Sequence, residues 1–391
     1  MNEQLVGKWA GNIEIPNVSL PIIVDLQKKS GTLSVPVQGL HDYPFNNITY
    51  DGDKVSIQIE LNGAQIEIDG ALNDEQIDAT FKQNGGVFPI RLKKHVEEPV
   101  TYETITVPVE HGDLKIAVQK SSKHPSPVAL ILAGSGPTNK DGNSAIAGKN
   151  DSLKMLAEGL ANEGIATVRY DKRGIGENMM LVTAEEELSL EQYVDDAVRV
   201  IETLKVDSAY TSVHIIGHSE GSLIGMLAAK QTQINSFISL AGAGRAADEI
   251  LLEQLEGQLP PTLKEETTTI LASLKKGERV ENASPELQAL FRSSVQPYMI
   301  SWLKYNPAHI IETLEIPTLI IQGTTDIQIN AADAEALKNA NTNATLLYVE
   351  GMNHILKNAP AERTANIATY TDPSLPLHEE LLPAISTFIL E

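Results

Sequence analysis

Cysteine is absent from the 391 residues. That excludes a disulfide framework, a thiolate nucleophile, and zinc, iron–sulfur or c-type haem sites held by cysteine. Any covalent nucleophile must therefore be oxygen or nitrogen. Positive charge is scarce too: 30 Lys and Arg face 52 Asp and Glu, a formal charge of −22. A field of that sign repels nucleic acid and anionic membrane surfaces, and it disfavours polyanionic substrates outside a local basic pocket. No apolar run approaches the roughly 20 residues that a bilayer span needs. The opening residues, Met1 to Trp9, lack the basic segment and apolar stretch of a secretory signal. These absences predict a cytoplasmic protein with a small-molecule substrate and neither a nucleic-acid nor a membrane partner; self-association into a homo-oligomer stays open.

What is present divides the chain. Its length suggests two domains of about 100 to 200 residues each. Up to residue 97, short runs alternate with period two, as in Val55-Ser56-Ile57-Gln58-Ile59-Glu60-Leu61 and Gln65-Ile66-Glu67-Ile68-Asp69. Turn signals at Lys29-Ser30-Gly31, Asp51-Gly52-Asp53, Leu61-Asn62-Gly63 and Gln83-Asn84-Gly85-Gly86 separate them. One wet face and one buried face mean antiparallel strands, hence a small meander-type barrel or sandwich over 1–97. The polar, proline-containing stretch 93–100 is the expected link.

From residue 98 to the end the period changes. Two strand-like runs, 101–109 and 114–120, lead to Pro127-Val128-Ala129-Leu130-Ile131-Leu132-Ala133, a fully apolar run of the kind buried on both faces of a parallel sheet. Helices are then predicted at 151–164, 190–205 and 219–230, alternating with strands at 165–170, 212–216 and 237–241. That is a βαβ series and a right-handed, doubly wound, mostly parallel sheet. Between about 245 and 310 only helical patterns occur, before strands resume at 317–322 and 345–350. A helical insertion at one loop of such a sheet sits over its carboxyl edge, where ligands bind, and reads as a cap.

Gly217-His218-Ser219-Glu220-Gly221 fits G-x-S-x-G and lies between an apolar strand and a helix-forming run. The glycines allow the sharp turn that would project the Ser219 hydroxyl at the sheet edge. Asp326 follows the strand 317–322, and His354 follows the strand 345–350. Ser219, Asp326 and His354 therefore stand in the order of a hydrolase triad, each just past a strand end. Alone, the serine motif has a plainer reading as a glycine turn, an aspartate after a strand is usually a helix N-cap, and a lone histidine is more often structural. It is their common placement that argues for chemistry.

On these residues the chain from about 101 to 391 resembles the α/β-hydrolase superfamily. The whole chain, with Gly7-Lys8-Trp9-Ala10-Gly11 and Phe81-Lys82-Gln83-Asn84-Gly85-Gly86, resembles the bacterial EstD-type carboxylesterases. Further matches are Ala133-Gly134-Ser135-Gly136-Pro137 and Arg169-Tyr170-Asp171-Lys172-Arg173-Gly174-Ile175-Gly176. The resemblance implies that the backbone N–H groups of Ser135 and Glu220 form an oxyanion hole, with Ala133-Gly134 in place of the usual His-Gly. It implies no metal and no organic cofactor. Asp171 and Arg173 are expected to form a mutual salt bridge that shapes their loop. Within the cap, Met299 and Trp302 are candidates for an acyl pocket, with packing of the cap as the plainer role.

Other patterns carry less. Gly242-Ala243-Gly244-Arg245-Ala246-Ala247 fits a dinucleotide fingerprint, but no strand ending in an acidic residue follows. The stretch 142–150 misses a phosphate-binding loop in spacing and in its terminal Ser or Thr. His214 and His218 are four apart on a strand and turn, where that spacing does not converge on a metal. The expectation is a serine carboxylesterase for short acyl esters of small, uncharged alcohols. An acyl-aminoacyl peptidase or acyltransferase could use the same triad, and a non-catalytic binding module is the rival of another class.

Overall fold

In the computed structural model, residues 2–15, 18–36, 40–61, 63–95, 100–144 and 148–391 are described. Contacts divide the chain into two compact units, Met1–Val100 and Thr101–Glu391. Of the expected link at 93–100, residues 96–99 lie outside the described residues, and Lys93 and Lys94 belong to the last strand of the first unit.

The first unit is built from β1 (Gly7–Ile15), β2 (Val18–Leu26), β3 (Gly31–Val35), β4 (Leu40–Pro44), β5 (Asn47–Asp51), β6 (Lys54–Leu61), β7 (Ala64–Asn73), β8 (Gln76–Gln83) and β9 (Gly86–Lys94). They form one antiparallel sheet in the order β4-β3-β2-β1-β9-β8-β7-β6-β5. Laid flat, its edges would stand roughly 38 Å apart at ~4.8 Å per strand. Yet only Phe45 and Asn46 separate β4 from β5, so the sheet must curl until its edges approach. Cross-seam bonds agree: the Tyr50 hydroxyl donates to the Gln27 carbonyl at 2.7 Å, and the Tyr43 hydroxyl to the Glu60 carbonyl at 2.8 Å. The inward residues of the alternating runs, among them Ile57, Ile59, Ile66, Ile68 and Ile77, fill one core around Trp9. The indole N–H of Trp9 is satisfied by the Leu5 carbonyl at 2.8 Å.

The second unit opens with the hairpin β10 (Glu103–Val109) and β11 (Gly112–Gln119), followed by β12 (Ser126–Leu132), β13 (Ala166–Arg169), β14 (Tyr210–His218), β15 (Ser236–Leu240), β16 (Thr318–Gly323) and β17 (Thr345–Val349). The sheet order is β10-β11-β13-β12-β14-β15-β16-β17. It is antiparallel as far as β11–β13 and parallel from β13 onward. The crossing helices include α1 (Ser152–Asn162), α2 (Leu190–Lys205) and α3 (Glu220–Gln231). Consecutive residues of β12 explain its unbroken apolar run: Val128, Leu130 and Leu132 enter the core under α2 and α3, while Ala129 and Ile131 enter the core under α1. Both faces are covered, so no polar alternation survives.

Between β15 and β16 the chain is helical: α4 (Ala247–Gln254), α5 (Pro261–Lys275), α6 (Gln288–Phe291), α7 (Gln296–Trp302) and α8 (Pro307–Ile311). Most of this segment closes round its own apolar cluster, which includes Ile270, Leu274, Phe291 and Leu303. After β16 come α9 (Ala331–Ala340), then β17, α10 (Arg363–Ala368) and α11 (Leu381–Leu390). Among the described residues no helix is long and apolar enough to cross a membrane.

Candidate active site

The carboxyl ends of the parallel strands collect the residues singled out above. Ser219 lies between the last residue of β14 and the first of α3, with φ 54° and ψ −120°. A non-glycine residue held there is strained by an amount of order 1–3 kcal/mol and persists only where its surroundings impose it. The surroundings do so by close approach. A Cβ on Gly217 would lie 2.3 Å from the Gly221 carbonyl oxygen, and one on Gly221 would lie 2.2 Å from that of Leu132. The Ser219 amide is fixed by the Leu240 carbonyl at 2.9 Å. Its hydroxyl does not cap α3 and is therefore not committed to the backbone.

Asp326 follows β16, and its side chain is fully buried. One carboxylate oxygen accepts the amides of Gln328 and Ile329 at 2.8 and 3.0 Å. The other meets His354 Nδ1 at 2.8 Å and Gln322 Nε2 at 3.3 Å. An ionised carboxylate only accepts, so His354 Nδ1 carries the proton and Nε2 keeps its lone pair. His354 comes from the turn after β17. That turn is held by His218, whose Nε2–H donates to the His354 carbonyl at 2.7 Å and whose ring centroid lies 4.9 Å from that of His354. Burial, reinforced by the neighbouring His354, pushes the pKa of His218 down to about 4, so this imidazole is neutral at physiological pH.

The loop after β12 approaches the same serine. A Cβ on Gly134 would stand 3.2 Å from Ser219 Cβ. Glu220 opens α3, so its amide lies in the first turn, where helical N–H groups have no intrahelical acceptor. Ser135 follows Gly134 and is exposed.

A buried polar network next to Ser219 was not legible beforehand. Lys172 Nζ donates to the Gly134 carbonyl at 2.7 Å and to Glu220 Oε2 at 3.1 Å, and it lies 5.0 Å from the centre of the Tyr193 ring. Tyr298, on α7, donates its hydroxyl to Glu220 Oε1. The signal available in the sequence was the Asp171-Lys172-Arg173 loop, in which Lys172 stands between the two residues expected to pair. The expected Asp171–Arg173 salt bridge does not form. Asp171 instead accepts the Lys140 amide at 2.7 Å and the Glu177 amide at 3.0 Å, while Arg173 forks onto Asp196 of α2 at 2.8 and 2.5 Å. The fork offers Arg173 two parallel bonds, and Asp171, besides its two amides, has the Lys140 ammonium as its cation at 3.4 Å.

Met299 lies buried in the apolar cluster of the helical segment. Trp302 is half-buried, with its ring 6.2 Å from that of Tyr298. Of this run it is Tyr298, not either candidate, whose polar atom reaches the turn at Ser219.

The family model described as serine aminopeptidase, S33 matches residues 148–360, over half the chain and inclusive of Ser219, Asp326 and His354. The chain belongs to that family. Its second unit is an α/β-hydrolase fold, as the resemblance implied, preceded by an antiparallel β unit. Esterase EstD of Thermotoga maritima is 28% identical in an alignment 282 residues long that covers 68% of this chain and 63% of EstD. The chain thus matches less than two thirds of that relative's length. Among solved structures, Est1E from Butyrivibrio proteoclasticus is 17% identical, covering 74% of this chain and 99% of Est1E with a TM-score of 0.48. Proline iminopeptidase of Mycobacterium smegmatis is 16% identical, covering 74% of this chain and 98% of that one, with a TM-score of 0.48.

Proposed function

We propose that this member of the family is a serine carboxylesterase that hydrolyses short-chain acyl esters through Ser219, His354 and Asp326. The observation that carries the reading is the 2.8 Å pair of His354 Nδ1 with a fully buried Asp326, on a turn tied to the residue preceding a strained serine. Ser219 Oγ attacks the acyl carbonyl while His354 Nε2 takes its proton, then returns it to the departing alcohol. Asp326 holds the tautomer and stabilises the imidazolium. The N–H groups of Ser135 and Glu220 receive the oxyanion. Water then attacks the acyl-enzyme as His354 takes its proton, and His354 returns that proton to Ser219 Oγ as the acid leaves.

In this reading the helical segment 245–310 caps the site through Tyr298, and Met299 and Trp302 shape the acyl pocket. The excess of acidic residues favours uncharged alcohols. The family's description as an aminopeptidase favours a second reading, an acyl-aminoacyl peptidase on the same triad. Paired ester and amide substrates with one acyl group separate the two. The test of the mechanism is a fluorophosphonate label together with Ser219→Ala: the label maps to Ser219, not to residues 1–100, and the variant stays folded while kcat for p-nitrophenyl butyrate falls on the order of 10⁶-fold. A folded variant that keeps most turnover refutes it.

A further inference from the structure

Lys172 is a buried ammonium placed where the two proposed oxyanion donors meet. Its side chain is 5% exposed. Its acceptors are the Gly134 carbonyl at 2.7 Å and Glu220 Oε2 at 3.1 Å, with the Tyr193 ring beside it. Gly134 C=O and Ser135 N–H belong to one planar peptide unit, and the two groups point in opposite directions across it. A cation on the oxygen therefore sets the plane in which the Ser135 N–H points. It also polarises that N–H, since hydrogen bonds in series across a peptide reinforce each other. The second acceptor, Glu220, owns the other donor N–H.

The loop needs such an anchor. Ala133-Gly134-Ser135-Gly136 contains two glycines, one with φ 67°, and Ser135 and Gly136 are exposed. The Ser135 carbonyl accepts the Thr138 hydroxyl at 2.8 Å, which leaves the 134–135 peptide itself to Lys172. A buried ammonium is costly unless its donors are well used, so its placement is specific.

We propose that Lys172 is a positioning residue for the oxyanion hole, holding the Gly134–Ser135 peptide and Glu220 in register and acting on the reacting oxygen only through those amides. The proposal rests on the esterase reading above. It predicts a loss confined to the transition state: kcat falls, KM does not, and tetrahedral adducts weaken in parallel.

The experiment uses the full chain, p-nitrophenyl butyrate, and a trifluoromethyl ketone of matching chain length as the tetrahedral probe. Lys172→Met leaves Glu220 buried beside no cation and can fail to fold, so Lys172→Met is also placed on Glu220→Gln and compared with Glu220→Gln alone. In each background that folds, the lysine change is expected to lower kcat about 10- to 100-fold, below the 10²–10³ typical of deleting a donor outright. KM stays within about threefold, and the ketone's inhibition constant rises by the same factor as kcat falls. A lysine that only supports the fold lowers the thermal midpoint and leaves kcat and the inhibition constant of folded protein within about threefold; that result overturns the role of Lys172 while wild-type turnover and the Ser219 adduct stand. A wild-type protein that neither hydrolyses the ester nor forms the Ser219 phosphonate adduct overturns the esterase reading, and Lys172's role with it.

Discussion

Ser219 holds its backbone at φ 54° through its neighbours, and its own hydroxyl does not cap the helix that follows. The glycines on either side remove the Cβ clashes, the Leu240 carbonyl takes its amide, and His218 ties the neighbouring turn of His354. In the proposed mechanism the chemistry at this scale depends on one proton. Asp326→Asn presents an amide where the imidazole N–H now donates, so His354 turns to the wrong tautomer. We expect kcat to drop on the order of 10⁴-fold with little change in stability, as a carboxylate-to-amide change does in other triads. Steady-state kinetics beside a thermal melt checks this; loss of folding in step with activity would mean that the carboxylate is chiefly structural. Ser219, Asp326 and His354 were each legible because their signals are local: a glycine-flanked turn and two strand ends. Lys172 was not, since its acceptors lie 38 and 48 positions away in the chain.

Elements act through what they carry to each other. The loop after β13 delivers Arg173 to Asp196 on α2, with both side chains 1% exposed and two bonds of 2.8 and 2.5 Å. Removing one member strands a buried charge, so Arg173→Met should cost about 3–5 kcal/mol, whereas Arg173→Met with Asp196→Leu should recover most of it. Urea midpoints of the single and double variants decide; a double variant no more stable than the single would show that the loss is packing and not an unpaired carboxylate. The helical segment offers a second case. With Trp302 against Tyr298, Trp302→Ala should alter discrimination between acetyl and octanoyl esters by about 1–3 kcal/mol, and Met299→Ala should do so less, because it lies deeper in the segment's own cluster. An unchanged kcat/KM ratio in a destabilised protein assigns both to packing alone.

For the whole molecule, the buried histidines tie stability to pH. Burial lowers the pKa of His214 to about 4, and burial with His354 nearby lowers that of His218 to about 4. In the unfolded chain both return to about 6.5. Between these values the unfolded state binds more protons, so stability is full above about pH 6.5 and is lost as the pH falls toward 4, by at most about 1.4 kcal/mol per pH unit for each group. His214 sits between the Ser212 and Ser236 hydroxyls at 2.8 and 2.7 Å. His214→Gln should therefore narrow the difference between melting temperatures at pH 7.5 and pH 5; an undiminished difference would exclude His214 as a source of acid sensitivity.

By itself the sequence pointed to a β-rich first part and an alternating second part, to the strands and helices from 101 to 241, and to the three residues proposed for chemistry; it was silent on the helices α9, α10 and α11 near the end. Period-two alternation, an apolar run with both faces covered, and glycine-flanked strand ends are written in neighbouring residues, where steric and solvation forces act locally. Only the tertiary structure decided which charges pair. Asp171 and Arg173 are two apart yet bond to Lys140 and Glu177 on one side and to Asp196 on the other, and Lys172 joins Gly134 to Glu220. It also decided that Tyr298, not Met299 or Trp302, would reach Glu220, and that a two-residue corner would join β4 and β5, the two edges of the nine-stranded sheet. The reason is physical. A buried charge must find a partner wherever the completed packing places one, and no spacing along the chain encodes that distance.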